Sequence, residues 1–472
     1  MAKVLSTHAA GREPASVGNW ILLAVSVAVL TVFAVSSPRL IQSSGWSSGE
    51  KFLFLALVGY LGASVLYVFS VALRQPGLVM GGVALTRGAF LMHTCAVIAR
   101  WVTAGHAPLS NIYEMVLMFS WGVVALQLVC EWRFEVKFLG AITLPITALS
   151  LILMQVLPGE IRPLVPALQS TWLQIHVTLA MLSYAGFTIS FALALLYLIK
   201  DGVTPRTFLS WASGLVAAIY GAIVLTSVDS SFSLLLPAWD PQLGEKVMLS
   251  PKQPLMVALA VLGWPFVLVL GLAALALALS LLDGSPAPPR AWGRWARRFF
   301  LAALVAQGIA LILLVVEVQS GPYWVPQVGQ AFAVHFSSSP FLLTGVFSAL
   351  FATLAWEALN WKCEVVSEHL PRRETLDALI YKTVAISFPL LTLMIIAGAY
   401  WANRTWGSYW SWDPKEDWAL ITWLTYAAYI HMRLTRGWRG RRSAYFAIIG
   451  FAIVMFTFFG VTYLLPGLHA YA

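Results

Sequence analysis

Thirteen separate apolar stretches, each near the ~20 residues a helix needs to cross a bilayer, run through this chain of 472 residues. Their centres fall near Ala28, Gly62, His93, Val123, Leu149, Ser183, Ala218, Leu268, Leu311, Gly345, Leu391, Thr425 and Val454. The fifth and seventh are interrupted by polar residues. The runs are continuous rather than alternating, which excludes an outer-membrane barrel. Charge agrees with this reading. Only 10% of the residues are Asp, Glu, Lys or Arg, against about 25% in soluble domains. The expected fold class is an all-α polytopic membrane protein with about 13 transmembrane helices.

Basic residues orient such a chain, because Lys and Arg collect on the cytoplasmic side. With the N-terminus inside, the inner segments hold 21 of the 29 Lys and Arg residues and the outer segments hold 8. The asymmetry predicts a cytoplasmic N-terminus and a C-terminus outside. It also accounts for the formal net charge of +9 by topology rather than by nucleic-acid binding. The first apolar run lacks a small-residue cleavage site and reads as a retained span. The cysteines Cys95, Cys130 and Cys363 form no C-x-x-C pair, so neither a disulfide framework nor a thiol-redox motif is supported. Residues 283–290 read as a flexible inner linker. Two long outer loops are expected at 227–253 and 319–340.

Between the last apolar stretches lies Trp406-Gly407-Ser408-Tyr409-Trp410-Ser411-Trp412-Asp413-Pro414. Aromatics gather at membrane interfaces, but a simple belt asks for only a few at one helix end. Here Trp401, Trp406, Tyr409, Trp410, Trp412 and Trp418 fall within 18 residues. Such a shelf points to a flat, apolar ligand. Asp413, Pro414 and Glu416 also read as a helix start, with Asp at the N-cap, Pro at N1 and Glu at N3. Capping alone accounts for both acids.

Histidines suggest that the flat ligand carries a metal. His176 opens the sixth span and His469 follows the last, both on the side of the tryptophans. Histidine is a common axial ligand of haem iron, and these two can bracket one porphyrin. His431 lies 17 residues after Pro414, roughly 25 Å deeper along the same helix. It cannot join them, so two sites are implied, one near each face. The alternative for His431 is an anchor at the inner interface beside Arg433. His93 and His106 are 13 residues apart, a spacing used by b-type electron carriers, but no second helix carries a matching pair. His8, His335 and His369 receive no role. No nucleophile–base constellation and no phosphate-binding glycine loop is present, so no catalytic residue is assigned.

The stretch from Trp406 to Leu424 resembles the WWD signature of the CcsA/ResC proteins of cytochrome c maturation, the Ccs or system II pathway. Residues 105–114, 173–185 and 437–471 resemble further motifs of that family, and the likeness covers roughly 80–200 and 375–472. The resemblance implies a protein that handles haem b and helps attach it to apocytochrome c (CXXCH) outside a bacterial cytoplasmic membrane. By motif, His176 and His469 are the outer axial ligands flanking a platform of Trp406, Trp410, Trp412 and Asp413. His431 is the membrane-embedded ligand that receives haem from inside. The resemblance further implies a ResB/CcsB membrane partner, and a chain acting as one component of a cytochrome c synthase. A haem transporter without synthase activity and a b-type electron-transfer subunit are the competing readings. The expected organisation is a two-helix segment over 1–80, a first family-like block over 81–204, an inserted four-helix segment over 205–360 and the WWD block over 361–472.

Overall fold

The computed structural model describes residues 48–73, 76–134, 136–154, 163–203, 205–228, 236–240, 245–249, 257–283, 291–319, 322–325, 330–333 and 370–465, with short pieces between them and Gly467. Lipid offers no hydrogen-bond partner, so each crossing must satisfy its own backbone, and a helix does so. The helices are α1 (Ser48–Leu73), α2 (Pro76–Ala104), α3 (Ile112–Phe134), α4 (Gly140–Met154), α5 (Thr171–Lys200) and α6 (Pro205–Ser227). They continue as α7 (Val257–Leu282), α8 (Ala291–Gln319), α9 (Arg373–Trp406), α10 (Pro414–Thr435) and α11 (Arg441–Met455). Each holds one of the expected centres. The expected span around Ala28 lies outside the described residues, and only short pieces are described around Gly345.

Among the described residues, nine helices are long and apolar enough to cross a membrane. Helix α4 is shorter, at 15 residues, and contains Pro145. Helix α10 is long enough, at 22 residues, but begins with Lys415, Glu416 and Asp417 and ends with Arg433. The helical membrane class therefore holds for the body of the protein. The loops differ from the all-helical expectation. Strands β1 (Leu236–Asp240) and β2 (Glu245–Leu249) pair antiparallel, Leu236 opposite Leu249. Strands β3 (Pro322–Val325) and β4 (Gln330–Ala333) do the same, Pro322 opposite Ala333. Both hairpins fall in the long loops. Pairing satisfies backbone groups there without a helix.

Helix α5 is the hub. Within its most apolar window 78% of residues are buried, against 28% for the corresponding window of α7, so α5 faces protein on nearly all sides while α7 presents leucines to lipid. Glycine permits the closest of these approaches. A Cβ at Gly186 would collide with Ser387 of α9. Nearby, Ser183 Oγ donates to the Ser387 carbonyl at 3.1 Å. Small residues at crossings let membrane helices approach. Phe187 stacks on Tyr426 of α10 at 3.6 Å, and Phe191 on Phe451 of α11 at 4.3 Å. Helix α11 runs on through a π turn, Phe456–Gly460, into a last α turn, Val461–Leu464.

The end at which α9 stops and α10 starts is the tryptophan end. At the opposite end, charges tie the same helices together. Arg433 of α10 makes a bidentate pair with Asp377 of α9, at 2.7 and 2.9 Å, and also donates to Ser443 Oγ of α11 at 3.0 Å. The Gly440 N–H donates to the same Asp377 carboxylate at 2.9 Å. Asp201, just after α5, accepts from both Arg373 and Arg441. Burial pushes its carboxyl pKa up, but the hydrogen bonds and charges of the two arginines outweigh this and hold it below the usual range.

Candidate functional site

At the tryptophan end α3, α5, α9, α10 and the end of α11 surround a cavity of about 140 Å³, partly open to solvent. Its lining is mainly apolar, with His176, Tyr184, Tyr409, Trp410, Lys415 and Glu416 as its principal polar or aromatic members.

His176 is seated by backbone from a distant helix. Its Nδ1 lies 2.8 Å from the carbonyl of Met394. A carbonyl only accepts, so Nδ1 carries a proton, and in the neutral imidazole Nε2 is then the acceptor nitrogen. That is how a metal-ligating histidine is usually held. A Cβ at Gly398 would stand 2.6 Å from His176 Nδ1, so glycine is what leaves space for the ring. The indole of Trp401 lies nearly parallel to the imidazole, 6.4 Å away at 16°. It is anchored by its Nε1–H to the Ala167 carbonyl at 2.9 Å.

The tryptophan loop is built by two acids. Helix α9 ends at Gly407, whose φ of 78° is the left-handed cap that glycine adopts readily. Asp413 caps α10, accepting from the Lys415 N–H at 3.0 Å, and Glu416 completes the capping box. The expected helix start is therefore present. Glu416 does more than cap. Its carboxylate accepts from the Ser411 N–H at 2.7 Å and the Asp413 N–H at 3.2 Å. Those bonds hold Trp412 between them at a φ of 58°, a left-handed conformation that costs a bulky residue about 1–3 kcal/mol.

The three tryptophans do not share one surface. Trp410 lines the cavity. Trp406 is half-buried and meets Trp401 edge-on at 4.9 Å. Trp412 is 71% exposed and meets Trp410 edge-on at 6.1 Å. Asp413 is buried beneath the loop. A Cβ at Gly467 would meet Pro414 Cδ at 3.0 Å, so the chain returns to the start of α10 two residues before His469. His469 itself lies outside the described residues, as do His8, His335 and His369.

His431 is not brought to this cavity. It is exposed on α10, toward the opposite end, in one line with Ile421, Leu424 and Ala428. His93 is fully buried on α2 with the Tyr60 hydroxyl 3.2 Å from its Nδ1. His106 follows the positive-φ Gly105 at the exit of α2. Among the described residues no group of three or more His, Cys, Asp or Glu side chains could hold a bare metal ion.

One part of the site was not foreseen. Glu114 is almost fully buried and accepts from Arg100 Nε at 2.9 Å, from the Ser110 N–H at 2.9 Å and from Ser110 Oγ at 2.7 Å. Arg100 also donates to the Gly159 carbonyl at 2.6 Å. This knot fixes the turn that presents Leu109, Ser110 and Ile112 to the cavity. The sequence signal is the family-like stretch 105–114, which contains Ser110 and Glu114 but does not show that they join Arg100.

Residues 109–469 match the family described as Cytochrome C assembly protein. The chain is 32% identical over 416 residues to the cytochrome c biogenesis protein CcsA of Synechococcus sp. (strain JA-2-3B'a(2-13)), covering 87% of this chain and 91% of that one. It is 31% identical over 443 residues to the CcsA of Nostoc punctiforme, covering 92% and 99%. Against the CcsA of Synechocystis sp. the figures are 30% over 437 residues, 92% and 98%.

Proposed function

Because this chain belongs to the CcsA family of cytochrome c biogenesis proteins, we propose that it carries haem b across a bacterial cytoplasmic membrane. There it presents haem for covalent attachment to apocytochrome c. The observation that carries this reading is His176, its Nδ1–H held by the Met394 carbonyl and its ring set against an apolar cavity. In this reading the N-terminus is inside, the chain crosses thirteen times, and the tryptophan end is outside.

Haem is the cargo. His176 supplies one axial nitrogen through Nε2 and His469 the other. Trp410 and Tyr409 give flat apolar area at the mouth, where dispersion and burial favour a macrocycle. Lys415 lines the cavity within reach of a carboxylate substituent. Trp412 and Asp413 act indirectly, one by shaping the rim and the other by capping α10. Attachment adds each Cys S–H of the apocytochrome across a vinyl group. One C–S and one C–H bond form, so no net electrons or protons are exchanged. Such chemistry needs placement more than an acid or base. Consistent with this, the Glu416 carboxylate is already engaged by the loop.

His431 is the inner ligand on the path outward. Its helix face bears Ile421, Leu424 and Ala428 in a line exposed by one chain alone. A second membrane helix fits there, and we assign that face to a ResB/CcsB partner. The blocks 81–204 and 361–472 form the haem-handling body, with 205–360 packed beside it.

Reconstitution tests the reading. The chain, a ResB-type partner, reduced haem and an apocytochrome c are expected to yield thioether-linked cytochrome. A haem-loaded complex giving no thioether product would leave only haem transport. A His431→Ala protein that matures cytochrome normally would refute the inner site.

A further inference from the structure

Outside the cavity, the most unusual chemistry lies among α1, α2, α3 and α4, toward the opposite end. Glu131 of α3 is only 8% exposed. Its Oε1 accepts from the Tyr67 hydroxyl of α1 at 3.0 Å and from Gln127 Nε2 at 3.0 Å. Thr143 of α4 donates in turn to Gln127 Oε1 at 2.5 Å, which fixes the amide. The other oxygen, Oε2, is buried without a hydrogen-bond partner. The Gly140 N–H approaches the carboxyl without forming a bond of normal geometry. A Cβ at Gly140 would stand 2.6 Å from Tyr67 Cε2 and 2.8 Å from Gln127 Nε2. The cradle is therefore closed around the acid by a glycine.

An ionised carboxylate here would leave one charged oxygen buried with only the poorly aligned Gly140 N–H near it, which costs more than burying a neutral acid. The charged and titratable neighbours do not repair this. Tyr67 on α1 is already engaged, Cys130 on α3 carries no positive charge, and α4 offers Gly140 and Thr143. Arg87 on α2 acts on the acid only through space, from an exposed position. Ser120, two turns up α3 from Gln127, likewise buries its hydroxyl without a partner. Ionisable residues buried among membrane helices mark proton or ion routes.

We propose that Glu131 is a proton-binding site within the membrane, its Oε2 exchanging a proton with the face of the bundle at which α3 ends. This does not depend on the haem reading. Infrared difference spectra of the full chain in nanodiscs, between acid and alkaline pH in H2O and D2O, test it. The expected result is a carboxylic-acid C=O band that titrates, shifts in D2O and vanishes in Glu131→Gln. Tyr67→Phe, which removes one donor to the carboxylate, is expected to keep the band to higher pH, and it carries the test should Glu131→Gln fail to fold. No protonated band at any pH would overturn the proposal, because Glu131 would then be ionised throughout. A band that neither titrates nor exchanges would also overturn it, as the mark of a sealed structural acid.

Discussion

His176 and His431 stand at the two ends of one bundle in opposite circumstances. His176 is half-buried, its Nδ1 committed to Met394, its ring given space by Gly398 and faced by Trp401. His431 is exposed on α10, and what is rigid near it is the Asp377–Arg433 pair beneath. One end is preorganised within a single chain. The other offers a histidine on an open helix face and a firm base to hold that face still. In the proposed reading one ligand site is finished by packing and the other is left for a second surface to finish.

The largest expected effect would collapse the finished end onto the unfinished one. His176→Gly should abolish haem retained at the tryptophan end, read from haem content and the absorption spectrum of the purified protein. Gly398→Ala should do nearly as much without touching the ligand, since its Cβ would displace the ring. Added imidazole should restore the spectrum in the first variant and not in the second. An unchanged spectrum in both would show that the cavity does not hold haem through His176.

Breaking the firm base is next in size. Asp377→Asn leaves the partly buried Arg433 without its counter-charge, a loss of about 1–3 kcal/mol. Thermal unfolding in detergent should record it, with the tryptophan-end spectrum unaltered below the transition. A smaller effect is expected of Glu416→Gln, about 1 kcal/mol, because the amide keeps one acceptor but loses charge. Faster proteolysis of the 407–413 loop with little global destabilisation would report it. The smallest concerns Asp201. Its folded-state pKa is held low by Arg373 and Arg441, so its stabilisation is present above the ordinary carboxylate range. It is lost as pH falls through the folded value. The acid limb of thermal stability should flatten in Asp201→Asn.

The helix centres and the Asp413–Glu416 capping box are legible because each is a local signal of hydropathy period or cap spacing. The seat of His176 is not. Met394 lies 218 residues from it, and Ala167 lies 234 from Trp401. Those contacts arise from α5 and the 166–168 turn before it packing on α9, which no local pattern encodes. The tryptophans show the same limit. A run of aromatics announces an aromatic surface, but Trp412 turns out to solvent because Glu416 holds the backbone left-handed there. The hairpins at 236–249 and 322–333 were read as plain loops, since their short segments carry no long alternating run.

The π turn at Phe456–Gly460 works as a phase shift. In an α-helix, residues five apart point in different directions, yet Thr457 and Thr462 both reach the cavity. The extra residue stored in that turn brings them into line. It also sets the bearing on which the chain leaves toward Gly467 and the start of α10. Removing one residue there would swing everything beyond by roughly 100°. The last helix is thus tuned like a keyed shaft, its final segment aimed by a single surplus residue.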